Sequence, residues 1–270
     1  DGIRDAQESR GLGDVYKRQT DTRPKMEGAT RSIRGKTVRL CGMIKGAGMI
    51  RPNLATMLSF LVTDAHIQAP LLQKMLKEAA EASYHRITID GETSTNDTVL
   101  LLANGTAGHP MIKRMNSEGQ IFKEMLFQVC RRLAESVVKD GEGATKCIEI
   151  WIQGARSKAD AQKAAYAIAH SPLVKTAFFG EDANWGRILC ALGHCGVPIH
   201  PDRIDVFFDQ SPIVRKGRGV GGPLEAKAAQ VIKQNSFKVL VDLHQGKSSF
   251  SLLTTDLSLD YVKINASYRS

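Results

Sequence analysis

The sequence predicts a mixed α/β protein in which sheets are layered with helices, and three observations predict it. Segments with a helical repeat alternate with short strand-like segments along most of the chain. Several strand-like segments near the C-terminus follow one another with little helix between them, which points to antiparallel neighbours rather than a doubly wound parallel sheet. The 270 residues, 42% hydrophobic and 24% charged, suffice for one large or two ordinary domains with a substantial core.

Residues 1–19 carry few apolar side chains, at neither a period of 3.6 nor one of 2, and Gly2, Gly11 and Gly13 interrupt any element. They read as a non-native or disordered leader, and the string from Arg4 to Gln19 resembles translated sequencing-adapter read-through. Residues 37–41 then read as an extended run and 57–62 as a buried strand. Leu71, Leu72, Met75, Leu76 and Ala79 fall at helical spacing behind Pro70, which predicts a helix over 70–83. Residues 86–90 alternate as a strand, 92–97 form a polar loop, 98–103 are a strand, and Asn104-Gly105 is a turn.

The longest helical pattern covers 117–139, with Ile121, Met125, Val129, Leu133 and Val137 four residues apart. It stops at Asp140-Gly141-Glu142-Gly143, where glycines can end a helix. A strand at 146–153, an Ala-rich helix at 157–170, a strand at 174–179, and a polar loop leading into a helix up to 192 follow. The last quarter reads as a strand at 204–208, a basic glycine loop at 215–222, a helix at 223–234, and strands at 238–243, 249–254 and 261–266.

Composition narrows the function classes. No apolar run approaches the length of a membrane span and no charged-then-apolar leader opens the chain, so a cytoplasmic protein without membrane attachment is expected. The five cysteines are scattered and form no C-x-x-C pair, and the seven histidines show no ligand spacing, so neither a disulfide framework nor a metal is expected. The formal charge of +9 is concentrated in residues 20–55, which carry eight basic and two acidic side chains. Basic residues do not interleave with aromatics, so this field suits small anionic substrates better than nucleic acid.

The segment Lys45-Gly46-Ala47-Gly48-Met49-Ile50-Arg51-Pro52-Asn53-Leu54-Ala55-Thr56-Met57-Leu58 stands out. It combines a glycine-flanked lysine, a Pro-Asn turn signal and a threonine where an exposed loop meets a buried strand. That position suits a reactive hydroxyl, but on these residues alone an ordinary strand-opening threonine is the favoured reading.

Four further motifs share this chain: Thr93-Ser94-Thr95-Asn96-Asp97-Thr98, Asp140-Gly141-Glu142-Gly143-Ala144-Thr145-Lys146, Gly180-x-Asp182-x-Asn184-Trp185-Gly186-Arg187, and Tyr261-Val262-x-Ile264-Asn265-Ala266-x-Tyr268. With Lys45 to Leu58 they resemble, in order, the bifunctional ornithine acetyltransferase (glutamate N-acetyltransferase) family of arginine biosynthesis, from about Thr20 to Ser270. The resemblance implies a four-layer αββα sandwich shared with self-processing aminopeptidases. It implies self-cleavage between Ala55 and Thr56 into an α chain, of which 20–55 is the C-terminal remnant, and a β chain, 56–270, associated as α2β2. The implied reaction moves acetyl from N-acetyl-ornithine to glutamate through an acetyl-threonine enzyme, with acetyl-CoA as a further donor in some members and no bound cofactor.

A threonine that begins a chain can use its own α-amine, with a pKa of roughly 7.7–8.0, as base, which fits Thr56 as catalytic nucleophile. Carried over residue by residue, the resemblance makes Thr22, Lys45, Thr56, Glu142, Asn265 and Ser270 substrate-binding residues. Asp182, Asn184, Trp185 and Arg187 either shape the site or form a structural loop ahead of a helix, and the stretch Thr93 to Thr98 reads as structural, with Asp97 and Thr98 satisfying local backbone groups. The family's oxyanion hole uses a Thr-Gly pair in the α chain, and no Thr-Gly dipeptide occurs in residues 20–55. Two other readings therefore stand beside the acetyltransferase: a related self-processing aminopeptidase or amidohydrolase, and an inactive fragment lacking the oxyanion hole.

Overall fold

A computed structural model describes residues 20–51, 57–93 and 97–267. The chain forms two compact units, one of residues up to 87 with 92–141, the other of 88–91 with 142 onward.

The first unit is a four-stranded sheet in the order β1 (Lys25–Ile33), β2 (Lys36–Lys45), β3 (Leu58–Thr63), β4 (Thr98–Ala103). Its first three strands are antiparallel, while β3 and β4 run parallel. The β1–β2 hairpin turns through Arg34 and Gly35, both at positive φ, the backbone that two-residue hairpin loops require. Along β2 the side chains of Val38, Leu40 and Ile44 alternate into the core. That face is covered by α1 (Ala69–Ala82) and α2 (Ser117–Lys139), with α2 against β1 and β2 and α1 against α2.

Helix α2 begins where the Asn116 side chain accepts the Gly119 N–H, and it buries Phe122, Met125, Val129, Leu133 and Val137. Gly42 lets it approach: a Cβ there would stand 2.7 Å from both Leu133 Cδ1 and Leu61 Cδ2. The other sheet face leaves Met26, Met43, Phe60 and Leu100 exposed across its four strands.

The second unit is a six-stranded sheet in the order β10 (Ser248–Thr255), β5 (Cys147–Ala155), β9 (Ser236–Asp242), β6 (Asp205–Phe208), β7 (Ser211–Arg215), β8 (Arg218–Gly219). Strands β5 and β9 are parallel and the other pairs antiparallel. Helices α3 (Lys158–Ala169), α4 (Pro172–Phe179), α5 (Trp185–Gly193) and α6 (Gly222–Val231) accompany it, and Ile150, Ile152, Ile168, Phe178, Phe208 and Val239 belong to its core. Helix α7 (Leu259–Ser267) closes the described chain.

Two sheets flanked by helices are the mixed α+β architecture expected, with five local corrections. Residues 174–179 are helix: Ser171 caps the Val174 N–H and Pro172 opens the first turn, signals that outrank a short apolar run whose periodicity is ambiguous. Residues 261–266 are also helix, started by Ser258 Oγ accepting the Tyr261 N–H at 3.2 Å. Residues 86–90 form no strand; they leave a 3-10 turn at Tyr84–Arg86 with Ile87 and Ile89 buried and Thr88 N–H bonded to Leu253 O at 2.9 Å. The basic loop at 215–222 is a hairpin tip, Lys216 and Gly217 at positive φ between β7 and β8. The late strands β9 and β10 are not neighbours, since β5 lies between them.

Candidate active site

In the first unit, three strand ends line up. Lys45, the last residue of β2, pairs with Leu58, the first of β3, and Leu58 pairs with Thr98, the first of β4. Met57, wholly buried, donates its N–H to Asp97 Oδ1 and accepts the Thr98 N–H at 2.8 Å through its carbonyl. Gly46 follows Lys45 at φ 149° and donates its N–H to Asp21 Oδ1 at 3.0 Å.

Asp21 opens a buried charge network. The Lys25 ammonium, with no side-chain exposure, sits between the carboxylates of Asp21 and Asp140. Thr22 donates its hydroxyl to Asp140 Oδ1 and its N–H to Asp140 Oδ2 at 3.2 Å. With its proton so committed, the Thr22 oxygen has lone pairs left to accept a donor from a ligand. The positive field read from the sequence is partly neutralised locally: besides Lys25, Arg34 pairs with Glu118 at 2.7 Å and Arg39 with Asp64 at 3.4 Å.

Burial pushes the Asp97 carboxyl up to about 6, with the Met57 N–H and the nearby Lys45 and His85 charges pulling it back. Its second oxygen, Oδ2, is buried with no hydrogen-bond partner among the described residues.

The second unit brings together Glu142 and Asn265, which lie far apart in sequence. Asn265 Nδ2 donates to Glu142 Oε2 at 2.9 Å and to Tyr261 O at 3.0 Å, one proton for each. The loop holding Glu142 is tied to the start of α7, where Ser258 Oγ donates to Gly143 O at 2.6 Å. Gly143 has φ 64°, and a Cβ there would collide with the Tyr261 backbone. Asp256 accepts the N–H groups of Thr145 and Lys146 at 2.9 and 3.0 Å. Most of the Asp140 to Lys146 motif thus fixes backbone, which leaves Glu142 as its presented side chain.

The Gly180 to Arg187 motif is scaffold. Asn184 caps α5 through the Arg187 N–H, Arg187 Nη1 donates to Leu173 O at 2.8 Å, and Trp185 packs where a Cβ on Gly219 would stand. An apolar recess lined by Leu189, Leu192, Val197, Ile199 and Ile204 contains none of the sequence-predicted residues. Among the described residues no three His, Cys, Asp or Glu side chains group as metal ligands would, and no helix is long and apolar enough to cross a membrane.

Of the sequence-predicted residues, Thr22 and Lys45 belong to the first unit, and Glu142 and Asn265 to the second. Ala55, Thr56, Ser270 and the leader 1–19 lie outside the described residues. Sequence reasoning read Asp97 as a structural residue serving local backbone groups and gave Asp140 no role of its own, although both stand inside the motifs; the backbone group that Asp97 serves is the Met57 N–H, 40 residues away.

Comparison with known proteins decides the family: the ArgJ family model matches residues 18–270. The chain belongs to the ArgJ family. Among curated ArgJ proteins, the arginine biosynthesis bifunctional protein ArgJ of Geobacter sulfurreducens is 49% identical over 93% of this chain and 64% of its own length. That of Syntrophotalea carbinolica is 52% identical over 86% of this chain and 59% of its own. The present chain therefore spans about 60% of the length of these ArgJ relatives. The crystal structure of the Bacillus halodurans arginine biosynthesis bifunctional protein ArgJ superposes with a TM-score of 0.72 at 37% identity, covering 77% of this chain and 98% of that one. The two-sheet α+β architecture is thus the ArgJ fold. Those coverages make the solved ArgJ chain about 212 residues long, since 77% of 270 residues is 98% of it.

Proposed function

We propose that the protein to which this chain belongs transfers acetyl from N-acetyl-ornithine to glutamate in arginine biosynthesis, after cleaving itself between Ala55 and Thr56. Membership of the ArgJ family over residues 18–270 carries the reading. It is supported by the length of the Bacillus halodurans chain, about 212 residues, close to the span 56–270 that such a cut would leave. The fixing of Met57, the residue after Thr56, at the ends of three strands supports it too.

Before cleavage, the Thr56 hydroxyl attacks the Ala55 carbonyl; the peptide C–N bond breaks, which frees the Thr56 amine and leaves an ester, and water hydrolyses that ester to the Ala55 carboxylate and the Thr56 hydroxyl. In turnover that amine takes the hydroxyl proton while Oγ attacks the acetyl carbonyl. The C–N bond to ornithine breaks and the departing amine takes up the proton. Glutamate's amine then attacks the acetyl ester, and Oγ leaves with the proton that the attacking amine gives up. Acetyl-CoA is a second acetyl donor in this scheme, and no resident cofactor takes part.

Lys45 pairs with a substrate carboxylate. Thr22, its proton held by Asp140, accepts from a substrate N–H, and Glu142, oriented by Asn265, holds a substrate amino group. Ser270 adds a C-terminal contact. Residues 20–55 are the tail of the α chain and 56–270 the β chain of an α2β2 assembly in the cytoplasm.

The span of about 60% of the relatives' length favours a second reading for the isolated chain, an inactive fragment lacking oxyanion donors, whose loss costs about a hundredfold or more per donor. Intact-mass measurement separates them: a product beginning at Thr56 supports self-processing, and uncut chain alone supports the fragment. In a version extended to the relatives' length, Thr56→Ala is expected to lower acetyl exchange by about a thousandfold or more. Undiminished exchange in that variant excludes Thr56 as nucleophile, and deacetylation that proceeds without glutamate indicates an amidohydrolase instead.

A further inference from the structure

Asp97 has no role in the reaction as written, yet it grips the residue next to the nucleophile. One carboxylate oxygen accepts the Met57 N–H, and the following residue, Thr98, returns its own N–H to the Met57 carbonyl at 2.8 Å. The Met57 side chain is wholly buried. Gly46, after the end of β2, backs the same residue, since a Cβ there would lie 3.8 Å from Met57 Cα. The gripped nitrogen belongs to the peptide bond that joins Thr56 to Met57, so the anchor acts within a few bonds of the Thr56 hydroxyl and amine.

We propose that Asp97 is a positioning residue for Thr56, an ionisable anchor that in its charged form holds the Met57 N–H at the sheet end and weakens its hold when protonated. Its catalytic consequence rests on Thr56 being the nucleophile; the anchor itself does not.

The carboxylate is more than a hydrogen-bond acceptor. A neutral acceptor would satisfy the Met57 N–H at lower cost, whereas this site also buries Oδ2 without a partner among the described residues. Lys45 from the end of β2 and His85 from the turn after α1 face the group and favour its charge, while burial opposes it and places its titration at about 6. A charged group kept at a cost to stability, beside the reactive residue, is what a function-first site shows.

The sign follows from linkage. An unfolded aspartate loses its proton near ~3.9, whereas this one keeps it until about 6, so the folded chain loses stability as pH rises between those values and no further above them.

The test uses the chain as it stands, labelled with nitrogen-15, in wild-type, Asp97→Asn and Thr56→Ala forms. The Met57 amide resonance is expected to titrate with a midpoint near 6 in wild type and in Thr56→Ala, and to stay flat in Asp97→Asn. A Met57 amide that does not titrate in wild type overturns the proposal. Asp97→Asn is expected to melt above wild type at neutral pH, the difference vanishing below about pH 4; a variant less stable than wild type at neutral pH overturns it by making the carboxylate structural. Where the chain self-processes, Asp97→Asn should slow the appearance of the Thr56 fragment about tenfold to a hundredfold and abolish the acid limb of its pH profile. Wild-type rate and profile in the variant overturn the positioning role. Cleavage before residue 56 in Thr56→Ala refutes the nucleophile alone, and the Met57 titration then decides whether Asp97 is the anchor.

Discussion

Lys25 holds together the part of the first unit that presents Thr22. Its ammonium stands between two carboxylates, and one of them, Asp140, fixes the Thr22 backbone and hydroxyl. Removing one partner from a buried ion cluster costs about 3–5 kcal/mol, because the remaining charges stay buried and repel. Lys25→Met is therefore expected to lower unfolding stability by that amount in urea titration, and Lys25→Met with Asp140→Asn by clearly less, since one carboxylate charge is gone. Equal losses in the two variants would mean that packing, not charge, sets the cost. At this scale the sequence drew attention to Lys45 and Thr22 through their resemblance to family positions. It hid the partners: Asp140 meets Thr22 from 118 residues away and Asp97 meets Met57 from 40, distances at which no local pattern records a hydrogen bond.

Elements with long periods were legible, and short ones were not. The pattern over 117–139 became α2 with the same bounds, because apolar residues four apart share a helix face and a strand rarely runs beyond about 10 residues. The six residues 174–179 and the six from 261 offered no such length, and caps at Ser171 and Ser258 decided both in favour of helix. The second cap matters for the site, since α7 carries Asn265. Gly143→Ala tests how tightly that helix is seated: a positive φ and a backbone collision with Tyr261 leave a methyl nowhere to go. The variant is expected to lose about 1–3 kcal/mol and to speed hydrogen exchange in Leu259–Ser267 while β5 and β9 keep their protection. Unchanged exchange in that helix would show that the loop moves independently of it.

Taken as a whole, the molecule carries an apolar surface that its composition does not announce. Met26, Met43, Phe60 and Leu100 stand in one row of the first sheet, and Val62 and Leu102 in the next, all exposed, Leu102 at 62% and Met26 at 59%. The pattern was readable only as a strand-like run, since period 2 says which residues share a face and not whether that face is covered. A contiguous apolar patch of this kind binds apolar dyes and promotes association. Two substitutions address it without touching the core: Phe60→Thr puts a β-branched residue, which suits a strand, on β3, and Leu102→Lys places a charge on β4, an edge strand of this sheet, where lysine guards against edge pairing. The double variant is expected to bind anilinonaphthalene sulfonate several-fold less than wild type and to stay monodisperse at higher concentration. Its unfolding free energy should move by no more than about 1 kcal/mol, because neither side chain is buried. Dye binding that persists at the wild-type level would place the sticky surface elsewhere, and a large loss of stability would show that the row is packed in solution.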